Sequence, residues 1–304
     1  MSATGGRSGI LLVDKPQGIT SHDAVAKTRR LAGTRKVGHA GTLDPMATGL
    51  LVLGINSSTR LLTYLVGLDK EYFATIRLGA ATSTDDAEGE IVSTAPAGAV
   101  AALGPSAITA ALEPLTGEIS QVPSSVSAIK VDGKRAYTLA RAGETVELAA
   151  RTVTVLALEV LGSRVDGDYL DIDVRVECSS GTYIRAIARD LGAALGVGGH
   201  LTALRRTKIG VFSVEDAGNL ETMDVATALL GPADVASRLF ATYQLSESQA
   251  VDLGHGKRLV DDSWSGGTGP VAAIAPDGRL VGLIRFDGHT AKPLVNFPTD
   301  EVTA

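Results

Sequence analysis

Asp44 is the residue around which chemistry can be built. It stands in Gly38-His39-Ala40-Gly41-Thr42-Leu43-Asp44-Pro45-Met46-Ala47-Thr48-Gly49, between a glycine-rich polar loop and the uncharged run Leu50-Leu51-Val52-Leu53-Gly54. Pro45 locks its own φ at about −65° and pushes Asp44 toward extended backbone, so the carboxylate sits on a constrained corner. A carboxylate held still on a loop beside a buried strand suits nucleophilic or proton-transfer work. The same local pattern also describes an aspartate in a tight turn ahead of a core strand.

A second chemically suggestive stretch is Cys178-Ser179-Ser180-Gly181-Thr182-Tyr183-Ile184-Arg185-Ala186-Ile187-Ala188-Arg189. Ser179, Ser180 or Thr182 can cap a helix over about 182–195, with Arg185 in its first turn, where the helix dipole disfavours a cation. Such an arginine calls for an anionic partner, either a protein carboxylate or a phosphate. Arg189, one turn on, shares its face. Cations also cluster at Lys27, Arg29, Arg30, Arg35 and Lys36, just ahead of Asp44, and again at Arg205-Arg206-Thr207-Lys208. The acidic run Thr82–Glu90 lacks the ligand spacing of a calcium loop and reads as a solvated turn.

The elements that must position these residues follow from pattern. Ile10–Val13 is a short apolar strand ended by Asp14-Lys15-Pro16-Gln17-Gly18. Ser21 as N-cap and Gly33 as C′ residue frame a helix over about 21–32. Ala47–Ile55 reads as a buried strand and Ser57–Val66 as a helix with Leu61, Leu62 and Leu65 on one face. In Lys70–Gly79, alternation puts Tyr72, Ala74, Ile76 and Leu78 on one side of a strand and Glu71, Phe73, Thr75 and Arg77 on the other. Ser106–Leu115 suggests a helix, Asp132-Gly133 a hairpin turn, and 134–142 a short helix. Val153–Leu161 and Tyr169–Glu177 form an antiparallel pair, and His200–Lys208 is a further strand. From about 225 a helix and three short strands, Val271–Ile274, Leu280–Phe286 and Leu294–Phe297, suggest a separate, compact all-β module.

Whole-chain properties narrow the function classes. The 304 residues are 44% hydrophobic and 20% charged, an ordinary globular composition. No apolar run approaches the roughly 20 residues of a membrane span. The single cysteine, Cys178, excludes an internal disulfide and any multi-cysteine metal site. With one thiol and no export signal, the expected compartment is the cytoplasm. The net charge of −6 is uneven, because residues 1–77 carry 10 Lys/Arg against 5 Asp/Glu. A polyanion would therefore meet this N-terminal quarter first.

Taken together and in order, Leu12-Val13-Asp14-Lys15-Pro16-Gln17-Gly18, Gly38-His39-Ala40-Gly41-Thr42-Leu43-Asp44-Pro45, Lys70-Glu71-Tyr72, Gly181-Thr182-Tyr183-Ile184-Arg185 and Leu204-Arg205-Arg206 resemble the TruB-type tRNA pseudouridine synthases. These motifs span about residues 10–210. The resemblance implies an α/β (α+β) catalytic domain with a mixed, largely antiparallel sheet over 1–225, followed by a small β-rich, PUA-like RNA-binding domain over 226–304. It implies isomerisation of the T-loop uridine at tRNA position 55, with no cofactor, no metal and no membrane, and nothing requires more than a monomer. Residue by residue, Asp44 is the implied catalytic aspartate, Tyr72 stacks on the uracil and helps remove a proton, and Arg185 pairs with Asp44. His39 lies in the loop that fills the space left by the flipped base. Leu204 packs near the uracil, and Lys15 supports the site loop. RNA backbone contact falls to Arg29, Arg30, Arg35, Lys36, Arg205 and Arg206.

Two other functions fit parts of the sequence. An RNA-binding or tRNA-folding factor with secondary catalytic activity would use the basic quarter and the tail. A carboxylate glycosidase or metal-dependent hydrolase would need a second placed carboxylate or a ligand cluster, and no such motif is evident.

Overall fold

A computed structural model describes residues 6–124, 130–131, 134–135 and 148–298. In chain order the strands of the first two-thirds are β1 (Gly9–Lys15), β2 (Val37–His39), β3 (Thr48–Ile55), β4 (Lys70–Leu78), β5 (Ala80–Thr82), β6 (Ile91–Thr94), β7 (Gly117–Gln121), β8 (Lys130–Val131), β9 (Lys134–Arg135), β10 (Arg151–Asp166), β11 (Tyr169–Cys178), β12 (Gly199–Ile209) and β13 (Phe212–Ser213). The helices among them are α1 (Ser21–Ala32), α2 (Leu62–Val66), α3 (Pro105–Leu112) and α4 (Ile184–Ala194). β8 and β9 pair antiparallel, as the Asp132-Gly133 turn suggested. The helix expected over 134–142 falls mostly outside the described residues.

One sheet runs β1-β3-β12-β4-β11-β10-β7, with β2 on β3 and β13 on β12. All of its pairings are antiparallel except β3 with β12, which is parallel and only two residues long, Arg205↔Thr48 and Arg206↔Gly49. That short contact matters, because beside the first half of β12 the chain leaves the sheet and becomes the Asp44 loop. Gly49 permits the close approach: its φ is +101°, and a Cβ there would lie 2.2 Å from the Arg206 carbonyl oxygen.

The alternation read from β4 is present. Tyr72, Ala74, Ile76 and Leu78 join the main apolar core with Val174, Val176, Ile184, Ile187 and Leu191. The opposite face is not simply wet. Glu71 is buried beneath Arg175 (2.7 Å), Lys208 (3.3 Å) and Thr207 (2.7 Å), and Arg77 forks onto Asp171 at 2.7 and 2.9 Å. These cross-strand ion pairs let charged side chains cover the sheet without an apolar layer.

Two local readings change. Thr20, not Ser21, caps α1: it accepts from the Asp23 amide, and Asp23 reaches back in a capping box. No side chain caps α4. Thr182 turns back to the Ser179 carbonyl, while Gln121 on β7 takes the Tyr183 amide at 2.8 Å and donates to its carbonyl at 3.1 Å. Gln121 is 62 residues away in sequence, so no local pattern could find this tie.

The C-terminal part contains α5 (Val225–Ala228), α6 (Pro232–Leu239) and α7 (Glu247–Gly254) beside β14 (Ala241–Gln244), β15 (Leu259–Val260), β16 (Val271–Ile274), β17 (Leu280–Asp287) and β18 (Thr290–Asn296). The strands form a sheet in the order β14-β16-β17-β18-β15. The module is β-rich but not all-β, because α6 and α7 close its flanks. Their short amphipathic runs, each opened by Gly-Pro or by a Ser246/Gln249 capping box, are easily missed between strands. Its Val235, Ala272 and Leu283 share a core with Ile10, Leu12, Leu50 and Leu61 of the main sheet's first strands and the turn after them. Among the described residues no helix is long and apolar enough to cross a membrane.

Candidate active site

The Asp44 loop is held from several sides. The Ser21 hydroxyl, freed from capping, accepts from the Leu43 amide at 2.8 Å and donates to the Leu43 carbonyl at 3.1 Å. The Gly18 amide donates to the Pro45 carbonyl at 2.9 Å, and the Asp44 carbonyl accepts from the Ala47 amide at 3.1 Å. Lys15 Nζ reaches the Pro45 carbonyl at 3.4 Å while donating to Pro16 and Ile19 carbonyls at 2.9 and 2.8 Å. From β12, Arg206 donates to the Gly41 and Thr42 carbonyls. The corner that Pro45 constrains locally is thus fixed by partners from β1, the start of α1 and β12.

Arg185 meets the expectation of an anionic partner twice over. Its Nε lies 3.0 Å from Asp44 Oδ2, and its Nη1 lies 3.3 Å from Asp86 Oδ2 and 2.9 Å from the Thr84 carbonyl. α4 carries this arginine into the site because Gly192 packs directly on β12; a Cβ there would fall 2.1 Å from the Gly199 amide. Asp86 is 3% exposed and is itself tied by Thr84 Oγ1 at 2.5 Å and the Glu88 amide at 3.0 Å. Arg189, one turn along, pairs with Asp85 at 3.4 Å and with Asp190. The run Thr82–Glu90 is therefore not a solvated turn: two of its carboxylates are drawn inward to neutralise the arginines of α4. Sequence reasoning missed Asp86 because its partner lies about a hundred residues away, beyond any local pattern.

Asp44, Tyr72, Arg185, Leu204 and Arg206 all border one cleft of about 270 Å³, with Lys70, Val66 and the backbone of 179–184. This is the low end of small-ligand pockets, room for one planar base and not for a duplex. Tyr72 and Leu204 are 8% and 7% exposed, forming its apolar wall. Lys70 is a second missed residue, although it begins the Lys70-Glu71-Tyr72 motif. It is buried and donates to the Val66 and Leu68 carbonyls.

The remaining candidates lie outside this wall. Lys15 sits beneath the loop, fully buried. His39 ends β2, edge-on to His22 of α1 with ring centroids 5.8 Å apart. Arg29, Arg30, Arg35 and Lys36 are exposed at the end of α1 and in the turn that follows, and Arg29 also donates to the Val37 carbonyl. Arg205 forks onto Asp14 at 3.0 and 2.8 Å. Arg206 cannot face an RNA backbone as expected, since it is 1% exposed. Adjacent residues of a strand point to opposite faces, so the pair Arg205-Arg206 splits between surface and interior.

Electrostatics at the cleft oppose one another. Although the Asp44 side chain is 34% exposed, crowding by the cleft walls pushes its pKa up. The Arg185 guanidinium and the Lys15 ammonium pull it back, and Asp86 pushes it further up. Burial lowers Lys15 and Lys70 each to about 8; Asp44 opposes the shift at Lys15, and the Arg206 charge adds to it at both. Burial raises the Tyr72 hydroxyl against the pull of Arg206. The consequence is an acid limb in the pH profile of the single-turnover rate. Chemistry that needs the Asp44 carboxylate is lost as pH falls, with a midpoint above the ordinary carboxylate value of about 4. An acid midpoint at or below the ordinary value would refute the desolvation argument.

Comparison with known proteins identifies the chain's relatives. The profile of the TruB family pseudouridylate synthase (N terminal domain) matches residues 29–184. That of the tRNA pseudouridylate synthase B C-terminal domain matches 185–239, and that of tRNA Pseudouridine synthase II, C terminal, matches 240–298. The chain is 64% identical over 296 residues to tRNA pseudouridine synthase B of Leifsonia xyli subsp. xyli (strain CTCB07), covering 97% of this chain and 98% of that one. It is 56% identical over 303 residues to the protein of the same name from Arthrobacter sp. (strain FB24), again covering 97% and 98%. Among solved structures it is similar to a chain in the crystal structure of a Cbf5-Nop10-Gar1 complex, with a TM-score of 0.70 and 25% identity over 96% of this chain and 86% of that one. A chain in the structure of an H/ACA RNP bound to a substrate RNA containing 2′-deoxyuridine shares the fold, with a TM-score of 0.69 and 24% identity over 96% and 86%. The family match over residues 29–184, and identities of 64% and 56% over nearly the whole chain, lead to one conclusion: the chain belongs to the TruB family of pseudouridylate synthases.

Proposed function

We propose that the protein isomerises uridine to pseudouridine in the T-loop of tRNA, at position 55. The observation that carries this reading is the Asp44 carboxylate, 3.0 Å from Arg185 Nε, at a cleft sized for one base. The target base leaves the loop's stack at a cost of a few kcal/mol, and stacking on Tyr72 returns roughly 1–3 kcal/mol. The C1′–N1 bond breaks, the freed uracil turns, and C5 bonds to C1′. C5 then loses its proton and N1 gains one, so the product is an isomer and needs no co-substrate. Whether Asp44 attacks C1′ or removes the 2′ proton, it acts as the ionised form, which Arg185 stabilises. Tyr72 assists removal of the C5 proton, Leu204 packs on the uracil, Lys15 backs the loop, and His39 enters the space left by the flipped base.

The RNA backbone is met by Arg29, Arg30, Arg35 and Lys36, with Arg205 exchanging Asp14 for phosphate. The catalytic unit is 1–225, and 226–304 is a PUA-like RNA-binding unit. The protein works as a cytoplasmic monomer without cofactor or metal. The test is tritium release from C5-labelled uridine in a T-arm RNA, with cytidine at position 55 as control; no release from the uridine substrate would overturn the reading. Those exposed cations, with no carboxylate at ion-pair distance among the described residues, also favour a role in binding or folding tRNA. Complementation separates the two roles: a folding factor tolerates Asp44→Asn but not Arg29→Glu with Arg30→Glu.

A further inference from the structure

Arg206 is the largest fully buried side chain among the described residues, and it lies at the cleft. Its Nε donates to the Leu50 carbonyl at 2.8 Å, its Nη1 to Thr42 at 3.4 Å and its Nη2 to Gly41 at 3.2 Å. The last two carbonyls belong to the loop just ahead of Asp44. Arg206 is also directly opposite Tyr72 in the β4–β12 register, and both border the same cleft. Among the described residues no carboxylate lies within ion-pair distance of it. A buried guanidinium satisfied by neutral carbonyls is a costly choice where an aliphatic chain would fill the same volume. Folds keep such costs where function needs geometry.

We propose that Arg206 is a positioning residue for the reaction: it holds the loop that carries Asp44 against the strand position directly opposite Tyr72, so that carboxylate and aromatic face meet the same base. This rests on the isomerase reading above. The planar fork is what the task requires. Three diverging donors reach three carbonyls at once, whereas a lysine of the same charge offers a single point. Leu204, two residues back on β12, borders the same cleft, so the strand that holds the loop also supplies part of the base-packing wall.

Arg206→Lys keeps the charge and loses the fork. The single-turnover rate is expected to fall by roughly 10²-fold, the scale of a small misplacement of reacting groups. The Kd for T-arm RNA, and the slope of log Kd against log salt, stay those of the wild type. A phosphate-contacting arginine would behave oppositely, with weaker binding and a salt slope reduced by about 1 on Arg206→Gln. That result, or an unchanged rate in Arg206→Lys, overturns the proposal. Should Arg206→Lys fail to fold, Arg206→Gln takes its place in the same measurements. A fall of about tenfold or more at unchanged Kd then supports the proposal, and a wild-type rate overturns it. Wild-type protein in the same tritium-release assay keeps the two questions apart: no release by the wild type sinks the isomerase reading, and equal release by both proteins sinks only the role of Arg206.

Discussion

Asp44→Asn is expected to lower the isomerisation rate by a factor of roughly 10⁴ or more, the scale seen when a reacting group is deleted from an active site. T-arm RNA should still bind within about twofold, because the exposed cations at the end of α1 are untouched. The variant should also melt no lower than the wild type. The reasoning is one of linkage. A carboxyl whose pKa is raised on folding binds its proton more tightly in the native state, so its ionised form costs stability above the ordinary carboxylate range. At Asp44 desolvation outweighs the attraction of Arg185 and Lys15, and a neutral amide of the same shape removes that cost. Arg185 retains Asp86 and the Thr84 carbonyl as partners. Tritium release, filter binding and thermal denaturation on the same preparation check all three statements. A large drop in melting temperature would show that the Asp44–Arg185 pair is a net structural asset.

Arg185→Gln should be damaging in a different way. Arg185 is 4% exposed and bridges two carboxylates, so its removal leaves both with no cation in direct contact. Breaking a buried pair from one side costs on the order of 3–5 kcal/mol, and unfolding in denaturant should show a loss of that size. Activity should fall as well. The pKa of Asp44 then rises further, because the guanidinium that opposed its desolvation is gone, and the acid limb of the rate profile moves to higher pH. A double-mutant cycle with Asp44→Asn is the sharpest check: once the aspartate is neutral, Arg185→Gln should cost little further rate. Full additivity would mean that the two residues act independently.

Much of the scaffold was legible because it is local. The alternation of β4, the hairpin of β10 and β11 and the extent of α1 up to Gly33 are written in residues a few positions apart, where propensity and period-two patterning operate. The C-terminal module shows the limit of that reading. Its strands were legible, but α6 and α7 are single short runs whose identity depends on packing against the sheet.

The site divides along the same line. From sequence alone, the constraint on Asp44 by Pro45, the demand of Arg185 for an anion, the basic N-terminal quarter and the ordered motif set together indicate a pseudouridine synthase. Tertiary structure alone decides which anions Arg185 finds, turning the run Thr82–Glu90 from a surface turn into the inner support of the aspartate. It also separates Arg205 from its neighbour, sending one guanidinium to Asp14 at the surface and the other beneath the Asp44 loop. Local pattern reports what a residue needs. Which distant group meets that need is set by strand register and by close approaches such as Gly49 on Arg206 and Gly192 on Gly199, across separations that no window of sequence spans.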